Sequence, residues 1–249
     1  WNNRNIRRKQ PGDVILSFKT FRNMLPKDQQ DKVALVMHTQ ISDQNGTDLR
    51  AVWQNIAPEC KILFSEVKVG AADLNAMYNI ADVTINIASN EGWGLSSTES
   101  LLSGTPIINS VTGGLQDQIG QLDDDGKPVE FGLDFGSNNI RKYSKHGVWV
   151  KPVWPATRVI QGSPPTPYIF DDLCKWEDVG EAMMYWYLID SSKRELCGLE
   201  GRRWAMNEGG LNHINLAAQF IKSMDFTLAN FIPEKQFSLH FDTEYVGHT

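Results

Sequence analysis

Residues 90–106 read NEGWGLSSTESLLSGTP, and they carry the clearest structural signal in the chain. The apolar, β-branched run at 83–88 comes just before them and predicts a buried strand. Two glycines around a tryptophan predict a tight turn, and residues 96–103 predict a short helix that ends at Gly104. A strand, a glycine turn and a helix in this order are typical of the carboxyl-terminal edge of a parallel sheet, where such folds bind ligands.

The same alternation continues on both sides of this stretch. Short apolar runs predict strands, and apolar residues at three- and four-residue spacing predict helices. In chain order we expect a helix at 14–25, a strand at 33–37, a helix at 49–56, a strand at 61–64, a helix at 74–81 and, after the stretch above, a strand at 105–109. This alternation predicts an α/β fold with a Rossmann-like, doubly wound parallel sheet and right-handed crossovers.

The pattern changes after Gly120. Residues 121–172 combine three consecutive aspartates with scattered glycines, prolines and aromatic residues, and they predict a long loop insertion with a strand at 147–151. Such a loop is either functional or a surface excursion packed by its own aromatic residues, and the sequence leaves both open. A helical carboxyl-terminal region is expected at 176–249, with helices at 176–190, 192–208 and 212–225, and we expect 1–249 to form a single domain.

The composition is that of an ordinary globular protein. Of the 249 residues 41% are hydrophobic and 22% are charged, which argues against disorder. A formal net charge of −6 argues against a general nucleic-acid binder, whose surface would be basic. The first 32 residues nevertheless carry eight basic residues against three acidic ones, including a cluster at positions 4, 7, 8 and 9. A basic cluster on an acidic protein indicates a small anion as the partner.

Other features bound the cellular setting. The three cysteines are too few and too scattered for a disulfide scaffold or a zinc site, which favours a reducing, cytoplasmic compartment. We expect no transmembrane segment, because no apolar run approaches the length that a membrane helix needs, and no secretory signal opens the sequence. The first residue is Trp rather than Met, so we expect a fragment of a longer protein.

The glycine turn offers two kinds of ligand contact. The free N–H groups at the start of the predicted helix, together with the helix dipole, suit a phosphate. Glu91 and Glu99 stand eight residues apart on either side of the turn and suit sugar hydroxyls, which donate to carboxylates. Gly113 and Gly114 predict a second turn that brings backbone to the same crevice. A Gly-x-Gly turn with solvated glutamates is the alternative interpretation.

Several motifs in this part of the chain agree with one family in both order and spacing. They are the segment 91–95 (EGWGL), Glu99 after seven intervening residues, the segment 103–108 (SGTPII) and the pair Gly113-Gly114. Together they resemble the signature of retaining GT-B glycosyltransferases of the family 4 type, in the carboxyl-terminal half that binds the donor nucleotide. The resemblance covers residues 1 to about 120. Trp93 stands where Phe or Tyr is more usual, and Ser100 where Ala is usual.

The resemblance implies roles for individual residues. In the family an arginine and a lysine about five residues apart neutralise the donor diphosphate; Arg4 and Lys9 fit that spacing, with Arg8 as a rival. Glu91 would contact the donor sugar and Glu99 the ribose. The implied catalytic residues are Arg4, Lys9 and Glu91, and the implied donor-binding residues are Arg8, Val67, Gly92, Trp93, Gly94, Leu95, Ser96 and Glu99, with Glu66 and Val67 near the nucleobase.

The resemblance also implies an activity. The chain would bind a UDP- or GDP-sugar and support transfer of the sugar to an acceptor hydroxyl, with retention of the anomeric configuration and without a metal ion or other cofactor. The acceptor, whether saccharide, lipid or protein, stays open. We expect the acceptor-binding half, and with it any peripheral contact to a membrane, upstream of residue 1. The first strand of the sheet should also lie there, unless residues 1–3 are its end. The isolated chain would then bind nucleotide weakly and transfer little sugar.

Two alternatives compete with this hypothesis. A nicotinamide-dependent oxidoreductase would need a third glycine where Ser97 and Thr98 stand, and an acidic residue where Asn109 and Ser110 stand. A non-catalytic interaction module would use the proline- and tryptophan-rich stretch 150–170 as its binding face.

Overall fold

The structure is a computed structural model that describes residues 1–132 and 135–234. The described residues fall into two compact units. The first unit is Trp1–Leu211, and the second begins at Asn212. Expectations for residues 133–134 and 235–249 lie outside the described residues.

The first unit begins with the predicted alternation of helices and strands. In chain order it contains α1 (Pro11–Met24), β1 (Leu35–His38), α2 (Leu49–Ile56), β2 (Ile62–Ser65), α3 (Ala71–Asn79), β3 (Thr84–Asn86), α4 (Leu95–Leu102) and β4 (Ile107–Ser110). Strand β1 pairs with β2, and β3 pairs with β4, both in parallel. These elements confirm the α/β fold class with parallel sheets and helices.

The amino terminus continues the first of these sheets. Asn2 forms a parallel bridge with His38, and the His38 amide donates to the carbonyl of Trp1 over 2.9 Å. Residues 1–3 therefore lie beside β1, as expected for the end of a strand. The residues that follow them enter the molecule at the carboxyl-terminal edge of the sheet.

Residues 121–172 contain more regular structure than the expected loop insertion. Strand β5 (Val150–Val153) pairs with β4 in parallel and is mostly buried, so it is the third strand of the sheet that contains β3 and β4. The predicted strand at 147–151 began three residues and ended two residues before the observed one. Pro152 obscured β5 in the sequence, but a proline is tolerated on an edge strand, and β5 pairs only with β4 in the described sheet. Strands β6 (Thr157–Ile160) and β7 (Phe170–Leu173) form an antiparallel hairpin.

The expected helical region is divided between the two units. Helices α5 (Trp176–Leu188) and α6 (Ser191–Met206) belong to the first unit, where α5 packs on α1 and α6 packs on α4. A Cβ added to Gly198 would lie 1.9 Å from the Gly104 carbonyl oxygen, so a glycine is what allows α6 to approach this turn. The second unit contains α7 (His213–Asn230). A single domain over 1–249 stays a prediction.

None of the helices in the described ranges combines the length and the apolar character required to cross a bilayer.

Candidate functional site

Two glycine turns meet at the carboxyl-terminal edge of the sheet. Gly94 caps α4 with φ +90°, and a Cβ added there would lie 2.3 Å from a methyl group of Leu115. The Gly114 amide donates to the Glu91 carbonyl over 2.9 Å, and a Cβ on Gly114 would lie 2.2 Å from the Gly92 carbonyl oxygen. The structure therefore brings the second turn against the first, and glycine is what permits this close approach.

A cavity of about 410 Å³ opens beside the first turn. It is lined by seven of the predicted site residues, Lys9, Glu91, Trp93, Gly94, Leu95, Ser96 and Glu99, and by Asn2 and Asn3. The first N–H groups of a helix have no acceptor within the helix, and those of α4 belong to Leu95 and Ser96. The cavity thus combines the amide end of a helix, a feature that suits anions, with two carboxylates and an ammonium group.

Glu91 is the centre of a charged cluster. Its Oε2 accepts from Lys9 Nζ and, over 2.9 Å, from Arg8 Nη1. The Lys9 and Glu91 side chains are each only 10% exposed, so their charges interact with little screening by water. Burial lowers the pKa of Lys9, which the pairing with Glu91 opposes. Burial raises the pKa of Glu91, but hydrogen bonds and charges from Lys9 and Arg8 outweigh it, so that pKa lies below its ordinary value.

Glu99 is oriented by a residue that the sequence did not single out. The buried Tyr78 hydroxyl on α3 donates to Glu99 Oε2 over 2.7 Å and accepts from Asn2 Nδ2 over 2.7 Å. Burial, with a contribution from Glu99, raises the pKa of Tyr78, so the hydroxyl keeps its proton. Tyr78 looked like one more member of an apolar helical stripe. The available signal was its hydroxyl, because a buried tyrosine usually finds a hydrogen-bond partner.

A polar layer supports the first turn from behind. Trp93 Nε1 donates to Thr98 Oγ1 over 2.8 Å, and Thr98 in turn donates to Gln118 Oε1 over 2.9 Å. Gln118 Nε2 returns to the Trp93 carbonyl over 2.6 Å. This ring of three hydrogen bonds fixes the tryptophan beside the turn. No feature of the sequence had singled out Gln118.

Four of the eleven predicted site residues do not line the cavity: Arg4, Arg8, Val67 and Gly92. The Arg4 guanidinium pairs with Asp43 over 2.8 Å, and its side chain is 62% exposed; neither it nor Val67 is among the residues that line the cavity. The hydrogen bond from Arg4 lowers the pKa of Asp43. Glu66 accepts from the Ile41 amide over 2.9 Å, and Val67 is largely exposed. The structure brings Lys9 and Arg8 to Glu91 but does not bring Arg4 there, and the assigned roles stay predictions.

Metal and thiol chemistry have few candidates here. Across residues 1–132 and 135–234 no three His, Cys, Asp or Glu side chains gather in a way that could hold a metal ion. The three cysteines are free thiols, and burial raises the pKa of Cys60 to about 11 and that of Cys174 to about 12. Metal-free chemistry stays a prediction.

Comparison with known proteins identifies the family. A family model described as "Glycosyl transferases group 1" matches residues 5–131, which include Lys9, both glycine turns and both glutamates. The chain belongs to the glycosyl transferases group 1 family. Arg4 lies one residue before the matched segment.

Two curated relatives are similar over part of their length. A "Trehalose synthase" of Pyrococcus horikoshii is 29% identical over 112 residues, which are 43% of this chain and 26% of that protein. A "Trehalose synthase" of Rubrobacter xylanophilus is 32% identical over 98 residues, which are 37% of this chain and 24% of that protein. This chain therefore matches about a quarter of the length of each relative.

Solved structures share the fold at low identity. The structure described as "Trehalose-6-phosphate from E. coli bound with UDP-2-fluoro glucose" has a TM-score of 0.58 and is 12% identical to this chain. The matched region covers 94% of this chain and 44% of that chain. Anabaena HepE in complex with UDP has a TM-score of 0.54 and is 12% identical to this chain. The matched region covers 90% of this chain and 48% of that chain. The fold of this chain is thus similar to one half of a GT-B glycosyltransferase.

Proposed function

We propose that the chain is the donor-binding part of a retaining, metal-independent glycosyltransferase of the family 4 type. It binds a nucleotide-diphosphate sugar, a UDP- or GDP-sugar, and supports transfer of the sugar to an acceptor hydroxyl. The observation that carries this proposal is the single cavity in which Lys9, Glu91, Glu99 and the amide end of α4 come together. Its volume of about 410 Å³ lies within the usual size range of small-molecule sites.

Each part of the cavity matches one part of such a donor. The α4 amides and Lys9 bind the diphosphate, Glu99 accepts from the ribose hydroxyls, and Glu91 accepts from hydroxyls of the sugar. Glu91 pairs with both Lys9 and Arg8, so a single negative charge faces two positive charges. A diphosphate competes for these cations, and the sugar hydroxyls supply Glu91 with new donors.

The same groups favour departure of the leaving group. When the bond between the anomeric carbon and the diphosphate breaks, negative charge grows on the phosphate oxygen. A fixed ammonium and fixed backbone amides stabilise the transition state, in which this charge develops, more than they stabilise the ground state. One such donor contributes about 3 kcal/mol in studied enzymes. Retention places the acceptor oxygen on the face from which the diphosphate leaves, with the acceptor proton passing to the departing phosphate.

A thermal-shift screen with UDP, GDP, UDP-glucose and GDP-mannose tests the proposal, with NADH as the probe for the oxidoreductase alternative. A ligand present at 100 times its dissociation constant adds about 2.7 kcal/mol of stability. We expect a shift with one nucleotide and its sugar and none with NADH. The Lys9→Met variant should reduce that shift, whereas Lys19→Met, on the surface of α1 beside Glu59, should not. No shift with any of the four nucleotides at millimolar concentration would contradict the proposal.

A further inference from the structure

The β6–β7 hairpin contacts the loop that leads to Glu91. The Asp172 amide on β7 donates to the Ser89 carbonyl over 2.8 Å, and Ser89 Oγ donates to Asp171 Oδ1 over 2.9 Å. Asn90 Nδ2 donates to the same Asp171 oxygen. Three contacts from one strand therefore reach the two residues immediately before Glu91.

The same loop also contacts Arg8. The Ser89 amide donates to the Arg8 carbonyl over 2.7 Å, and Arg8 Nη1 donates to the Asn90 carbonyl over 3.1 Å. Ser89 and Asn90 are thus held by hydrogen bonds both to the basic segment near the amino terminus and to the hairpin. Glu91 is the next residue, so both sets of contacts bear on its position.

The neighbouring carboxylate explains why the hairpin can act as a rigid support. Asp172, 2% exposed, accepts from Arg158 Nε over 2.8 Å and Nη2 over 3.0 Å. It also accepts from Thr112 Oγ1 over 2.8 Å and Asn138 Nδ2 over 3.1 Å. These bonds tie the hairpin to the turn after β4, and they offset the cost of burying a charge.

Asp171 differs from Asp172 in where its hydrogen bonds go. It is 8% exposed, and among the described residues the side-chain donors to its carboxylate are Ser89 and Asn90, both in the Glu91 loop. A buried carboxylate is costly unless its oxygens accept hydrogen bonds, so Asp171 and the two residues before Glu91 constrain each other's position.

We propose that Asp171 is a positioning residue that sets the place of Glu91 relative to the donor sugar, an inference that rests on the proposed function. Region 121–172 thereby supplies part of the donor site without contacting the donor. Because Asp171 acts through Glu91, its loss weakens recognition of the sugar and leaves recognition of the nucleotide diphosphate unchanged.

The test compares dissociation constants for UDP and UDP-glucose, and for GDP and GDP-mannose, by calorimetry. In each pair, the dissociation constant of the nucleotide divided by that of the nucleotide sugar measures what the sugar contributes to binding. In Asp171→Ala this ratio should fall about fivefold, the worth of one hydrogen bond, with the nucleotide constant unchanged. Asp171→Asn keeps an acceptor oxygen and should restore the ratio. Ser163→Ala, at the tip of the same hairpin where the hydroxyl bonds Thr166, should match the wild type.

A second variant guards against loss of folding in Asp171→Ala. Asn90→Ala removes the donor from a partly exposed position, and its ratio should fall in the same way. Hydrogen exchange without ligand should accelerate at residues 89–94 in both variants. The inference is overturned if the folded variants keep both the wild-type ratio and the wild-type hydrogen-exchange rates. It is also overturned if Asp171→Asn behaves like Asp171→Ala. A wild-type chain that binds no nucleotide contradicts the proposed function instead, and the exchange measurement still decides whether Asp171 holds the loop.

Discussion

Glu91 combines low exposure with two cationic partners, and this makes its contribution to stability depend on pH. Its pKa in the folded chain lies below the ordinary value of 4.5 because the pairing with Lys9 and Arg8 outweighs burial. A carboxyl group whose pKa is lower in the folded chain than in the unfolded chain stabilises the fold at pH values above its unfolded-state pKa. This stabilisation is lost as the pH falls through its folded-state pKa. The stabilising effect of the Glu91 charge should therefore be complete at pH 7 and decline below about 4.5.

The Glu91→Gln variant tests this linkage. At pH 7 we expect it to lower the free energy of unfolding by about 1–3 kcal/mol, because Lys9 is left buried without its counter-charge. Urea unfolding at pH 7 and at pH 3.5 measures the difference between variant and wild type. That difference should shrink at the lower pH; a difference that is equal at both values would contradict the assigned pKa direction.

Tyr78 allows a test of how Glu99 is held. Tyr78→Phe keeps the ring and removes the hydroxyl that joins Asn2 to Glu99. We expect a loss of about 1 kcal/mol in the free energy of unfolding and weaker nucleotide binding, because both partners lose a hydrogen bond. Tyr187→Phe, at a partly exposed tyrosine packed on Phe21, is the matched control and should leave both quantities unchanged. Equal behaviour of the two variants in calorimetry would show that Glu99 does not need Tyr78.

At the scale of single residues, the motif spacing predicted which residues lie at the glycine turn. It did not predict Tyr78 and Gln118, whose hydrogen bonds hold those residues in place. Lys9, Glu91 and Glu99 come together because strand ends and a helix start bring them to one edge. Arg4 shares the predicted spacing with Lys9, but its side chain pairs with Asp43, 39 residues away in the chain. No local pattern contains that choice, because it depends on which carboxylate the fold places within reach.

The contact between the two glycine turns belongs to the scale of elements. Gly114→Ala would place a methyl carbon 2.2 Å from the Gly92 carbonyl oxygen, which forces the turns apart. We expect a loss of about 1–3 kcal/mol in the free energy of unfolding, the usual cost of overpacking. Gly92→Ala is the control from the facing turn, where an added Cβ meets nothing within 4 Å. Chemical denaturation separates the two, and a Gly114→Ala chain as stable as Gly92→Ala would show that the turns tolerate separation.

The same scale shows where periodicity succeeds and where it fails. The helices and strands through β4 were predictable because each has a clear apolar spacing of its own. The start of strand β5 was predicted three residues too early, because Pro152 interrupts the apolar run that would have announced it. The β6–β7 hairpin carries an exposed strand and two buried aspartates, so its sequence lacks the apolar alternation of a half-buried strand.

At the scale of the whole molecule, the residues that line the cavity beside the first glycine turn all belong to the unit Trp1–Leu211. The two apolar core clusters of the described residues also lie within that unit. Helix α7, in the second unit, exposes large apolar side chains, including Phe220, Phe226 and Leu228, each 64% exposed or more. Exposed apolar surface of this kind favours association with other molecules.

A chain shortened to residues 1–211 should therefore keep both its fold and its ligand. We expect its midpoint of thermal unfolding to stay within about 4 °C of the full chain, which corresponds to about 1 kcal/mol for a protein of this size. Nucleotide affinity should be unchanged, and self-association in analytical ultracentrifugation should decrease because the apolar helix is gone. The full chain measured beside it at equal concentration is the control. Loss of cooperative unfolding or of nucleotide binding in the shortened chain would show that the fold or the proposed site depends on residues after 211.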